Sequence, residues 1–198
     1  MIIGWDVSTS AIGICVRNDE GKTIEFGVIY PSGETHAEKH RSAAAQVDAF
    51  CKRRCEGKVT HVVEQALGGF TGGLTSKQTL MTLAAMNAVV SFILSSHGAV
   101  LHILPVTAKR IVDLKKEDGE DKKAAVIRLA RSREPTFPYT ETKAGNPTKG
   151  VDDMADAWLL VEAGGKVLRG EASVGQPKKA TGGQSKARGA KGGGHPKG

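Results

Sequence analysis

The chain opens MIIGWDVSTSAIGICV (residues 1–16), two apolar, β-branched runs joined by the polar turn VSTS. This spacing predicts two strands, 1–7 and 11–18, folded back on one another. Asn18-Asp19-Glu20-Gly21 is a second turn signal, and TIEFGVIY (23–30) alternates like a third strand. Two short connections in succession make an antiparallel meander. Asp6 stands out within it. An unpaired carboxylate in an apolar strand is costly to bury and needs a partner or a metal.

The rest of the chain alternates helix and strand. Residues 36–56 read as a helix closed by Gly57, and VTHVVEQAL (59–67) as a fourth strand. GGFTGG is a loop. Thr75 and Gln78 match a capping box at the head of a helix running to Ser96. AVLHILPV (99–106) reads as a fifth strand. A short helix (107–114), a basic helix (120–133), a proline-containing loop (134–150) and a last helix (152–164, ending at Gly164-Gly165) follow. The order βββαβαβααα predicts an α/β fold: a five-stranded mixed sheet, a three-strand antiparallel meander plus two parallel strands, with helices on both faces.

Charge divides the chain in two. The net charge is +7, yet residues 1–165 hold 20 Lys/Arg and 20 Asp/Glu. Residues 166–198 hold eight basic residues, Lys178 and Lys179 among them, against Glu171 alone. The reading is one domain over 1–165 and a basic Gly/Lys-rich tail over 166–198, expected to be disordered from about residue 172 for want of apolar surface. A flexible basic tail suits nucleic acid, because neutralising phosphates releases counterions. AAMNAVVSFIL (84–94) is short and interrupted by Asn87 and Ser91, so no transmembrane helix is expected. No basic-then-apolar leader opens the chain. Cys15, Cys51 and Cys55 are an odd, sparse set. Cys51 and Cys55 share a helix face, but no second Cys/His pair stands at zinc spacing, so free thiols in a reducing, cytoplasmic compartment are expected.

Three acidic positions are oddly placed. Asp6 lies in the first strand and Glu64 in the fourth, inside THVVEQAL. Asp152-Asp153-Met154-Ala155-Asp156 opens the last helix. Strands one and four are neighbours in this topology, which sets Asp6 beside Glu64. Asp153 and Asp156 share a helix face, and so do Asp152 and Asp156; spacing alone leaves that choice open. Each acid also has a plain reading. Asp6 could bond the VSTS turn, Glu64 a lysine, Asp152 could cap the helix and Asp153 favour its dipole. Together, four carboxylates from two strands and a helix suit Mg²⁺ or Mn²⁺, and two such ions about 4 Å apart are the arrangement for phosphodiester hydrolysis.

On these residues the chain resembles the RuvC-type Holliday-junction resolvases of the RNase H-like superfamily. IIGWDVSTSAIGICV matches the family's first motif, HVVEQAL its second and DMADAWLL its last. The resemblance covers about residues 1–165 and implies Asp6, Glu64, Asp153 and Asp156 as catalytic metal ligands, with Asp152 as the alternate. It implies two Mg²⁺ (or Mn²⁺) ions per site and a homodimer that nicks opposing strands of a four-way DNA junction in recombination and repair. PVTAKRIV and EDKKAAV resemble basic segments of the family, which suggests Lys109 and Lys123 as phosphate contacts, with Lys122 close behind Lys123. Phe70 in EQALGGFTGG corresponds to a wedge that opens the junction. The second helix resembles the family's dimer helix, and its apolar residues Leu80, Leu83, Met86, Val90 and Leu94 could serve core and partner alike, with core as the default.

Other readings compete. RNase H-like nucleases also act on flaps, forks or RNA–DNA hybrids. An Asp before Ser/Thr also occurs in actin-like and Hsp70-like ATPases, but those need two lobes and further Gly-rich motifs. A non-catalytic nucleic-acid-binding module would require an incomplete acid set.

Overall fold

In a computed structural model, which describes residues 1–65 and 77–175, the chain forms the expected mixed sheet. The strands are β1 (Ile2–Val7), β2 (Ile12–Arg17), β3 (Thr23–Ile29), β4 (Thr60–Glu64) and β5 (Ala99–Ile103), in the order β3-β2-β1-β4-β5. β1, β2 and β3 pair antiparallel, whereas β1–β4 and β4–β5 are parallel. The helices are α1 (His36–Arg54), α2 (Lys77–Ser95), α3 (Pro105–Ile111), α4 (Lys122–Arg133) and α5 (Val151–Leu168).

The period-2 alternation of β1 and β2 separates two cores. Ile3, Trp5, Val7, Ile12, Ile14 and Val16 face α1 and α2, with Val47, Phe50 and Val90. Cys15 of β2 and Val62 of β4 face the other way, into a layer built largely by α3, α4 and α5. Local chemistry starts the helices where packing needs them. Thr35 and Glu38 close a capping box on α1, and Asp121 accepts from the Ala124 amide at 2.8 Å to cap α4.

Several boundaries differ from the sequence reading, and three have a clear cause. β5 stops at Ile103 rather than residue 106, because Pro105 lacks an amide proton for the ladder and instead takes the first position of α3. The last helix begins one residue earlier, at Val151, and Gly150 stands at its N-cap. That helix also runs through Gly164-Gly165 to Leu168. These glycines do not end it; a Cβ on Gly164 would lie 2.5 Å from Val62 Cγ2, so the glycine lets helix and sheet touch. The helix therefore crosses the expected boundary at 165. Thr75 of the expected capping box lies outside the described residues.

By length and composition alone, α2, of 19 residues, is apolar enough to cross a membrane, with mean hydropathy 1.5 over an 18-residue window. The sequence reading expected no such segment, but Asn87 and Ser91 lower the average too little. Here one face of α2 packs into the core through Met86, Val90 and Leu94, while Met81 and Phe92 are 63% and 72% exposed.

Gly13 of β2 sets how closely α5 lies on the sheet. A Cβ there would sit 2.0 Å from the Asp153 carbonyl oxygen and 2.4 Å from its carbon. Backbone cannot give way as a flexible side chain can. Gly13→Ala is expected to cost at least the top of the usual ~1–3 kcal/mol overpacking range, read as a lowered midpoint in urea unfolding. An unchanged midpoint would mean that α5 is not held by this contact.

Candidate active site

The pairing of β1 with β4 runs in register from Ile2 opposite Thr60 to Trp5 opposite Val63. The next residue on each strand is an acid: Asp6 on β1, Glu64 on β4. Alternation turns both away from the Trp5 side, toward the layer that α5 covers. The two carboxyls are close enough to act on each other. The first turn of α5 then lies over Gly13, the residue paired with Asp6 across β1 and β2. This contact brings Asp153 and Asp156 to the same end of the sheet.

The acids repel one another. Burial first, then the charges of Asp156, Glu64, Asp153 and Asp152, push the Asp6 carboxyl well above the ordinary range. Burial and Asp156 raise Glu64 to about 7, against the pull of Lys109. Asp156 is also raised, by burial, with Lys109 and Lys123 opposing. Burial and Asp152 raise Asp153.

Asp152 behaves differently. Burial opposes its ionisation, but the Lys123 ammonium, 2.6 Å from Asp152 Oδ2, holds it below the usual carboxylate value. Asp152 is thus an ion-pair partner and not a helix cap, and of the α5 acids Asp156 acts most strongly on Asp6. The same contact singles out Lys123 from its neighbour Lys122. Lys109, on α3, acts electrostatically on both Glu64 and Asp156. Phe70, Lys178 and Lys179 lie outside the described residues.

Two residues at the site carried no functional reading in the sequence. Asn87 interrupts the apolar α2 because its amide donates to the Glu64 carbonyl at 2.6 Å, fixing the end of β4. Its one sequence signal is a buried amide within an apolar helical run. Tyr30, just past β3, has its hydroxyl pKa raised by burial and by Asp153 and Asp152, and Lys149 Nζ lies 4.4 Å from its ring centroid.

Four partly buried carboxylates with raised proton affinity, opposed chiefly by two lysines, hold more negative charge than the site neutralises. The donor set is all oxygen, and it fits a hard divalent cation. A groove of about 310 Å³, lined by Lys123, Lys149 and Asp152, borders the site.

The site sits on a known scaffold. The structure of Thermus thermophilus RuvC in complex with a Holliday junction substrate superimposes with a TM-score of 0.60, covering 86% of this chain and 96% of that one at 14% identity. The chain has the RNase H-like fold of RuvC. A second T. thermophilus RuvC structure gives a TM-score of 0.56 at 15% identity, with the same coverage of 86% and 96%. The yeast mitochondrial Holliday junction resolvase Ydc2 gives 0.50 at 13% identity, over 82% of this chain and 76% of that one. No protein-family model and no curated protein matches the sequence. What this chain shares with RuvC is thus visible in the backbone rather than in overall identity.

The raised carboxylates have a consequence for stability without metal. A carboxyl with a raised folded pKa stabilises the fold while protonated. That contribution is complete below its unfolded value and is lost as pH rises through the folded one. For Glu64 the window is about pH 4.5 to about 7. Burial lowers His61 to about 4, and this works in the opposite sense over much of the same range. The comparison to make is therefore wild type against Glu64→Gln, in chelator. The variant's advantage should grow across this window to about 2–3 kcal/mol at pH 7.5, since each pKa unit corresponds to about 1.4 kcal/mol. A pH-independent difference would contradict the crowding of charge.

Proposed function

We propose that this protein is a metal-dependent, structure-selective endodeoxyribonuclease that resolves four-way DNA junctions by paired phosphodiester hydrolysis, in recombination and repair. The observation that carries this reading is the convergence of Asp6, Glu64, Asp153 and Asp156 at one end of the sheet, on the fold of RuvC. In this reading those four side chains hold two Mg²⁺ or Mn²⁺ ions. When bound, such ions supply an activated water and stabilise the departing 3′-oxygen. Asp6 and Glu64, fixed on adjacent strands, form the rigid half of the ligand set. Asp153 and Asp156 complete it from α5. Lys109 and Lys123 flank the acids and contact the phosphates of the cleaved strand, and Asp152 holds Lys123 in place. Asn87 positions Glu64 through its backbone. Phe70 is proposed as the junction wedge, and the tail lysines Lys178 and Lys179 as further DNA contacts.

Paired nicking needs two sites, so the working unit proposed is a homodimer. Met81, Ala85, Ala88 and Phe92 support this: all are exposed and, at helical spacing, form one apolar stripe along α2. Leu80 and Leu83 are partly buried beside it.

One gel tests the proposal. The protein is incubated with a labelled four-way junction, a fork, a duplex and an RNA–DNA hybrid, with Mg²⁺ and with chelator. Symmetric paired nicks on the junction, only with Mg²⁺, are expected. Preferential cutting of the fork or the hybrid would move the assignment to another nuclease on this fold, and ATP turnover without cleavage would refute it.

A further inference from the structure

On the opposite side of the sheet from α5, the C-terminal end of α1 meets the start of β4. Cys51 in the last turn of α1 and Cys55 at its C-cap are four residues apart and share one side of the helix. His61 on β4 turns toward them. One ligand atom from each of the three lies within 4.8 Å of the others. Cys51 and His61 are fully buried, while Cys55 is partly exposed and gives the cluster an opening. The imidazole is held in place: Trp5 Nε1 donates to its Nδ1 at 3.1 Å. The remaining nitrogen, Nε2, is buried without a hydrogen bond, the His97 backbone being near but out of hydrogen-bonding geometry. A buried polar atom left in this way calls for an occupant.

We propose that Cys51, Cys55 and His61 form a binding site for a thiophilic divalent cation, with Zn²⁺ as the type ion, separate from the carboxylate site. The donors are two sulfurs and a nitrogen, which suit zinc and not magnesium. A tetrahedral zinc with Zn–S near 2.3 Å sets its sulfurs about 3.8 Å apart, so the three atoms need close by no more than about 1 Å. Burial keeps His61 neutral at neutral pH; with Nδ1 accepting from Trp5 its proton lies on Nε2, so binding at Nε2 first moves that proton to Nδ1. Both thiols are protonated there, because burial raises them. Two protons therefore leave for each ion bound, one from each sulfur, and uptake strengthens as pH rises. Coordination at Nε2 places the ring proton on Nδ1, which removes the acceptor from Trp5. The Trp5 indole thus reports occupancy. No fourth Cys, His, Asp or Glu among the described residues joins the group, so a water entering past Cys55 completes the shell. The ion would tie the end of α1 to β4, across the core from the acids.

The test uses the full chain, reduced and freed of metal, with excess Mg²⁺ present to occupy the carboxylates. Co²⁺ serves as the spectroscopic probe and Zn²⁺ as the competitor. The expected result is one equivalent bound per chain, a thiolate-to-Co²⁺ charge-transfer band that Zn²⁺ removes, release of two protons and a change in tryptophan emission. Cys55→Ser, at the partly exposed position, should weaken Zn²⁺ binding about 100-fold or more while junction cleavage in Mg²⁺ is unchanged. Absence of the charge-transfer band, or equal Zn²⁺ affinity in wild type and Cys55→Ser, would overturn the proposal. So would a reduced protein that takes up no metal and in air only forms a Cys51–Cys55 disulfide.

Discussion

Asp6→Asn should abolish junction cleavage and leave junction binding intact. Asp6 is the central member of the acid cluster: Glu64, Asp152, Asp153 and Asp156 all act on its carboxyl. An amide is nearly the same size but brings no charge, so the strand and its pairing with β2 and β4 persist. Metal-assisted stabilisation of transferred charge amounts to several kcal/mol, and each 1.4 kcal/mol is tenfold in rate, so a loss of about 10³-fold or more is expected. DNA affinity rests on lysines elsewhere and should change little. The same substitution relieves repulsion, so the metal-free variant should melt at a higher temperature than wild type at pH 7.5. Cutting at the wild-type rate in Mg²⁺ would remove the carboxylate site as the seat of chemistry, and loss of binding with cleavage would point to misfolding.

Deleting residues 172–198 should weaken DNA binding broadly. The deletion removes Lys178, Lys179, Lys186, Arg188, Lys191 and Lys197 and no acid. Each lost phosphate contact lowers the slope of log affinity against log salt by about 0.9, so the slope should fall by up to about 5, with affinity reduced roughly 10²-fold or more at low salt. Because these contacts read charge rather than sequence, junction and duplex should weaken together. Cleavage of saturated junction should be retained, since the acids lie on β1, β4 and α5. A salt slope identical in the two proteins would leave the tail without a role in binding DNA.

Much of the fold was legible because the signals are local. The VSTS turn and the Asn18–Gly21 turn announce the meander, and β-branched runs announce β4 and β5. Boundaries were misread where tertiary contacts overrode local preference. Gly164-Gly165 reads as a helix stop, but in α5 it marks the place where helix and sheet touch. The site was legible in part. Asp6 and Glu64 were apparent as acids in apolar strands. The choice between Asp152 and Asp153 was not, because either shares a face with Asp156. That Lys123 rather than Lys122 meets Asp152 was likewise not legible, since Lys123 and Asp152 lie 29 residues apart. Asn87 was visible as an interruption of α2, but its partner was not.

The sequence by itself determined the order of elements, the set of acids available and the concentration of positive charge in the tail, since each depends on residues near one another in the chain. Only the tertiary structure decided which groups meet. Asp6, Glu64, Asp153 and Asp156 come from three elements spread over 150 residues, and Cys51, Cys55 and His61 from a helix and a strand joined by a turn. Their encounter depends on strand register and on the close approach that Gly13 permits, and those distances are fixed by packing between elements rather than by the pattern within any one of them.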